Sequence, residues 1–191
     1  MMTLLKRLLP VAMAGVAVLA AALPTAFAAG VPGESVANVR DATAGFHDPA
    51  AALSGGYDLL TDAADLACID QEGAGAMGIH YVKGALVQSA KIDAARPQAL
   101  VYERTAEGSL QLAAVEYVVL QADWDTAHTA PPSLFGQTFM VTPAGNRYGL
   151  PAFYSLHAWV WMDNPDGMFA MWNPAASCTT NPNIGATTHD H

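Results

Sequence analysis

Three apolar, strand-like runs each carry, at or near the middle, one polar residue that can bind a metal. The runs are residues 77–82 (MGIHYV), 113–120 (AAVEYVVL) and 153–161 (FYSLHAWVW), with His80, Glu116 and His157 as their polar residues. A carboxylate or an imidazole inside a buried strand is costly unless it is paired, hydrogen-bonded or bound to a metal. Three such residues in one small domain therefore predict a common interior site.

The first 28 residues have the pattern of a secretory signal peptide. Lys6 and Arg7 form a short basic region, residues 8–23 are apolar, and small residues precede a cleavage site expected after Ala28. The alternative is an uncleaved membrane anchor, for which the proline-interrupted apolar stretch is short. We therefore expect a secreted or periplasmic protein that keeps no stable membrane span after cleavage.

Cleavage after residue 28 leaves 163 of the 191 residues, which fits one domain with its own core. It removes two of the eight basic residues and none of the 17 acidic ones, so the mature chain carries a net charge of −11. Nucleic acids and anionic lipids bind clustered Lys and Arg, and neither is expected as a partner. The expected partner is a small molecule or a metal.

The two cysteines, Cys68 and Cys178, both lie in the mature part of the chain. In an oxidising compartment an isolated pair favours a disulfide. Closing a loop of roughly 100 residues stabilises a fold by up to about 4.7 kcal/mol in the chain-entropy model. The alternative, two thiolate ligands on a metal, lacks a CxxC spacing to support it.

Helical patterns are confined to the N-terminal part of the mature chain. Hydrophobic spacing predicts helix within residues 35–57, where Ser35 is the expected N-cap. Asp48 and Pro49 predict a second start, with Asp as the cap and Pro in the first turn.

The rest of the chain is strand-like. The first strand leads up to Lys83, and further strands are expected at residues 99–104, 110–121, 137–141 and 153–162, with a final hairpin arm at 168–172. Short Gly and Pro turns between strands favour antiparallel pairing. The fold class predicted is α+β: N-terminal helices packed on a curved antiparallel β-sheet, as a single domain over residues 29–178, followed by a flexible tail at 179–191.

Alternation along a strand places residues two apart on the same face. If the faces carrying His80, Glu116 and His157 converge, two imidazoles and a carboxylate enter one cavity, a ligand set that suits a divalent metal such as Zn, Fe or Mn. No HxH or HExxH spacing supports this prediction. The alternative is a buried polar network without any cofactor.

Four further residues are candidates for ligand binding: Glu103, His128, Trp159 and Trp161. Glu103 also suits a structural ion pair with Arg104 or Arg147, and His128 suits an exposed loop. The indoles of Trp159 and Trp161 are expected to line a ligand cavity or, alternatively, to pack across the final hairpin.

Four blocks of the chain resemble a family of small exported bacterial proteins of unknown function. They are residues 72–82 (EGAGAMGIHYV), 115–117 (VEY), 132–137 (PSLFGQ) and 156–178 (LHAWVWMDNPDGMFAMWNPAASC). The last block is the most specific of the four. The resemblance implies a single secreted domain and no particular activity.

The sequence thus supports a secreted or periplasmic binding domain with an internal site at His80, Glu116 and His157, with or without a metal. One alternative is a small mononuclear metalloenzyme, hydrolytic or oxidative, in which Glu103 or His128 supplies an acid or a base. Another is a structural envelope protein whose buried His and Glu residues pair with one another.

Overall fold

A computed structural model describes residues 34–178. The predicted signal peptide at residues 1–28 and the predicted tail at 179–191 lie outside these residues. No helix within the described part combines the length and the apolar character that a bilayer span requires.

The helices are short, and the first two begin at the predicted caps, whereas two further helices lie between strands, outside the N-terminal part where helix was expected, and begin without a side-chain cap. The Ser35 hydroxyl accepts a hydrogen bond from the backbone N–H of Asn38 at 3.1 Å, and the Asp48 carboxylate accepts one from Ala50 at 2.9 Å. Each bond satisfies a helix N–H that has no partner within the helix. The helices are α1 (Val36–Thr43), α2 (Pro49–Ser54), α3 (Gly84–Val87) and α4 (Gln121–Asp125), with a 3₁₀ turn at Ala44–Phe46 after α1.

The strands are β1 (Asp58–Leu59), β2 (Cys68–Gln71), β3 (Gly75–Val82), β4 (Ala99–Arg104), β5 (Leu110–Leu120), β6 (Ser133–Leu134), β7 (Gln137–Thr138), β8 (Met140–Thr142) and β9 (Phe153–Ala158). They form an antiparallel main sheet in the order β1-β3-β4-β5-β9-β8, with β2 also pairing with β3. Strands β6 and β7 form a separate hairpin.

The N-terminal helical segment packs on one face of this sheet. The hydroxyl of Tyr102 on β4 donates to the carbonyl of Phe46 at 2.6 Å, and the Tyr57 hydroxyl donates to the carbonyl of Pro97. These bonds satisfy the polar ends of buried tyrosine rings. The single α+β domain predicted from the sequence is confirmed.

The last long strand is shorter than predicted, and its partner arm is not a strand. β9 ends at Ala158 because the backbone turns there: Val160 N–H bonds to the Ala158 carbonyl, two residues back. Residues 168–172 form turns and bends, although Met168 still accepts one bond from Trp159 N–H at 2.8 Å.

A disulfide and a backbone bridge hold the C-terminal segment on the sheet. Cys68 on β2 is bonded to Cys178, 110 residues later, as predicted. Ala76 on β3 exchanges two backbone hydrogen bonds with Asn173, at 3.2 and 3.0 Å. Together these links fix the segment that contains Met171 and Trp172.

Candidate functional site

The three predicted metal ligands, His80, Glu116 and His157, lie on the sheet face opposite to the N-terminal helices. Register pairs Glu116 on β5 with His157 on β9, and pairs Val118 with Ser155 two residues further along. Residues two apart along a strand share a face of the sheet. The face that carries the polar pair Glu116–His157 therefore becomes apolar towards Leu120.

His80 reaches Glu116 across the intervening strand β4. On β4, the residue that pairs with Glu116 is Ala99, and Ala99 pairs in turn with Val82 on β3. The small Ala99 side chain leaves space above β4, so that His80 Nε2 lies 3.3 Å from Glu116 Oε2. Strands two positions apart in the sheet are thereby linked through their side chains.

His157 is buried, with only 4% of the residue exposed. Neither of its ring nitrogens has a hydrogen-bond partner within residues 34–178. Its ring stacks on Trp159 with centroids 4.7 Å apart and meets the His80 ring edge-on at 5.7 Å. A buried polar group without a partner costs about 1–3 kcal/mol, so this imidazole is an energetic liability in the unliganded fold.

The electrostatics leave the two buried groups in the protonation states that bind metals. Burial pushes the pKa of Glu116 upwards, but the hydrogen bond and charge of His80 and the contacts of His157 and Ser155 outweigh it, so the pKa is lowered overall. Burial lowers the pKa of His157 to about 3. At neutral pH Glu116 is therefore ionised and His157 is neutral.

The three side chains are close enough to share one ion. One ligand atom from each of His80, Glu116 and His157 lies within 4.8 Å of the others. Metal–ligand distances of about 2.0–2.2 Å place the ligands of a tetrahedral site about 3.4 Å apart. The His80–Glu116 contact matches that spacing, and the ligand atoms that lie further apart, at up to 4.8 Å from one another, would move closer on binding an ion.

A cavity of about 980 Å³ opens beside the cluster, and His80, Glu116 and Ser155 line one part of it. Its volume is at the upper end of the range of about 300–1,000 Å³ typical of small-molecule sites. Its apolar walls include Val82, Val118, Leu120, Phe153, Met171 and Trp172.

Asp62 and Arg147 bring two loops together at the cavity. Asp62 accepts hydrogen bonds from the backbone N–H groups of Ala64 (2.8 Å) and Leu66 (3.0 Å). Its other carboxylate oxygen lies 3.4 Å from Arg147 Nε, an ion pair. The Arg147 carbonyl also accepts a bond from Ala63 N–H at 2.9 Å. The loop that carries Arg147 and Tyr148 is thereby held against the residues before β2.

The Asp62 contacts predict a pH-dependent stability. Burial alone would raise the pKa of Asp62, but the bonds from Leu66 and Ala64 and the charge of Arg147 lower it overall. A lowered folded-state pKa stabilises the fold above the unfolded pKa, and this contribution is lost as the pH falls through the folded value. We expect Asp62→Asn to lower the free energy of unfolding by about 1–2 kcal/mol at pH 7. Urea denaturation should show the difference shrinking below about pH 4, and a difference independent of pH would contradict this account.

The residues predicted to bind a ligand do not line this cavity. Trp159 lies behind His157 and donates to the Ala170 carbonyl at 2.8 Å, while Trp161 donates to the Thr43 hydroxyl at 3.1 Å. The indole in the cavity wall is that of Trp172. The expectation that Trp159 and Trp161 form the wall is therefore not met, because β9 ends before either residue. Whether these residues bind a ligand elsewhere stays a prediction.

Glu103 and His128 also lie outside the cavity lining. Glu103 accepts a bond from Ser177 N–H at 3.0 Å, and burial raises the pKa of its carboxyl against that bond. Of the two arginines expected as its partners, Arg147 pairs with Asp62 and Arg104 donates to the Gly108 carbonyl. His128 is exposed and stacks on Trp124 with centroids 3.7 Å apart.

Sequence reasoning did not identify the residues that complete the cavity. Asp62, Met77, Arg147 and Tyr148 all line it. Met77 stands in a predicted strand but shows no polar signal, and the other three stand in loops without any motif. Their positions depend on the way in which the two loops fold back over the sheet.

Comparisons with protein-family models, with curated proteins and with solved structures find no match to the chain. The resemblance to small exported bacterial proteins stays a prediction, and the site has to be interpreted from its own chemistry.

Proposed function

We propose that the protein is an exported binding protein that holds one divalent transition-metal ion between His80, Glu116 and His157. The observation that carries the proposal is the buried His157 ring, whose two nitrogens have no partner within the described residues although an ionised carboxylate lies beside it. A metal ion between the three side chains would use a His157 nitrogen and compensate the Glu116 charge.

A buried network without a metal explains the cluster less well. In such a network each buried polar group finds a hydrogen-bond partner. His80 and Glu116 meet this requirement through their 3.3 Å contact, whereas His157 does not. The free-energy cost of burying the unpartnered His157 ring therefore arises at the position where that ring would serve as the third metal ligand.

The ligand set favours a metal of intermediate softness. Two imidazoles and one carboxylate suit Zn, Fe or Mn, and three protein ligands leave coordination positions free. A metalloenzyme would also need a group that transfers protons at the site. The two groups expected in that role, Glu103 and His128, do not line the cavity, so the catalytic alternative loses the residues on which it was drawn, and we propose binding.

Export is supported by the disulfide between Cys68 and Cys178, since disulfides persist in oxidising compartments. The signal-peptide pattern of the first 28 residues supports the same assignment.

Calorimetric titration of metal-free protein with Zn²⁺ tests the metal site. The protein should carry no polyhistidine tag, and His189→Ala and His191→Ala should be present throughout so that the terminal histidines do not contribute. We expect one bound ion per chain and a loss of at least about 100-fold in affinity for His80→Ala, since even the partners of metal ligands contribute about 10–100-fold.

His128→Ala is the matched control, because His128 is an exposed histidine that belongs neither to the cluster nor to the cavity lining. Its affinity should equal that of the parent protein. Absence of stoichiometric binding, or equal losses in His80→Ala and His128→Ala, would refute the proposed metal site. Mn²⁺ and Fe²⁺ titrations then rank the metals.

A further inference from the structure

We infer that the cavity binds a small amphipathic carboxylate, with its carboxylate on the metal and its apolar body along the sheet. The inference rests on the proposed metal site and adds the class of ligand that the site would take. Three features of the cavity lead to it: the side from which the metal would be open, the length of the apolar wall and the balance of charge.

The cavity reaches the cluster from one side. His80 and Glu116 line the cavity, while His157 is not part of the lining. An ion held by all three would therefore have His157 behind it in the wall and the cavity in front. A three-ligand site leaves at least one coordination position free, and a ligand atom from the cavity can occupy it.

The wall next to the cluster is apolar over a defined length. Glu116, Val118 and Leu120 all line the cavity from one face of β5, and Phe153 lies beside Leu120 on β9. At about 3.4 Å per residue the distance from Glu116 to Leu120 is about 14 Å. A fully extended saturated chain of ten carbon atoms, at about 1.2 Å per bond, covers about 11 Å of this distance. Trp172 supplies further apolar surface.

The charge of the cavity depends on the metal. Asp62, Asp70 and Glu116 line it together with a single arginine, Arg147, which pairs with Asp62. The metal-free cavity is therefore acidic and disfavours a carboxylate. A divalent ion held by two neutral imidazoles and Glu116 carries a local charge of +1, which favours a carboxylate and disfavours an amine.

Titration with decanoate, decylamine and 1-decanol tests the inference on metal-free protein and on protein loaded with one equivalent of Zn²⁺. We expect decanoate to bind the Zn²⁺-loaded protein at least tenfold more tightly than the metal-free protein. Decylamine should show the opposite preference. The alcohol, which has the same chain and no charge, measures the apolar contribution alone.

Val118→Trp should fill the apolar wall and weaken decanoate binding at least tenfold without affecting Zn²⁺ affinity. Val141→Trp is the matched control, because Val141 is exposed on β8 and does not line the cavity. Unchanged decanoate affinity in Val118→Trp would overturn the proposed position of the ligand.

The outcomes separate this inference from the proposed function. Zn²⁺ binding without tighter decanoate binding would overturn the ligand class and leave the metal site intact. Equal decanoate affinity with and without Zn²⁺ would likewise overturn the ligand class and not the metal site. Failure of Zn²⁺ itself to bind would overturn both.

Discussion

Replacing His157 with leucine is expected to abolish tight metal binding and, at the same time, to stabilise the metal-free protein by about 1–2 kcal/mol. The ring is 4% exposed and neither nitrogen has a partner within the described residues, so leucine removes an uncompensated desolvation cost. The two side chains are similar in volume, which keeps the cavity term small. Loss of one of three ligands should weaken Zn²⁺ binding at least about 100-fold.

The measurements are Zn²⁺ calorimetry and urea denaturation of the metal-free protein, with His128→Leu as the control on an exposed histidine. The control should leave metal affinity unchanged. A His157→Leu protein that is less stable than the parent without metal would show that His157 supports the fold. Unchanged metal affinity in that variant would remove His157 from the site.

Replacing Gly75 with alanine is expected to destabilise the protein by about 3 kcal/mol or more. Gly75 has a φ of +92°, and an added Cβ would lie 2.0 Å from the Asn173 carbonyl oxygen and 2.6 Å from Pro174 Cα. These are backbone atoms next to the bridge between β3 and Asn173, so the bridge has to separate. Because Trp172 precedes Asn173, we also expect a change in its fluorescence.

Gly73→Ala is the matched control for the Gly75 variant. Gly73 also has a positive φ, +77°, but an added Cβ would meet no atom within 4 Å. It should therefore cost only the backbone strain, about 1 kcal/mol. Equal destabilisation by the two substitutions, measured by urea denaturation, would show that the contact with Asn173 contributes nothing.

The strands could be predicted because their hydrophobic patterns and turns are local. The predicted strand at residues 99–104 coincides with β4, and the caps at Ser35 and Asp48 are confirmed. Alternation also placed Glu116 and His157 correctly relative to their own strands. What alternation cannot supply is the register between strands, on which the meeting of His80 with Glu116 depends.

The cavity was harder to predict for two physical reasons. The end of β9 at Ala158 depends on local backbone bonds that hydrophobic patterning does not encode. Because the strand ends there, Trp159 and Trp161 do not lie in the cavity wall, where they were expected. The position of Arg147 in the cavity wall depends on a tertiary ion pair with Asp62, which lies 85 positions earlier in the chain.

Anomalous diffraction from a crystal of the protein soaked in Zn²⁺ tests the central claim most directly. The account predicts an anomalous peak about 2.0–2.2 Å from one ligand atom each of His80, Glu116 and His157. The same peak should be absent from crystals of His157→Leu. A fully occupied Zn²⁺ elsewhere on the protein, with no peak between these three side chains, would contradict the account.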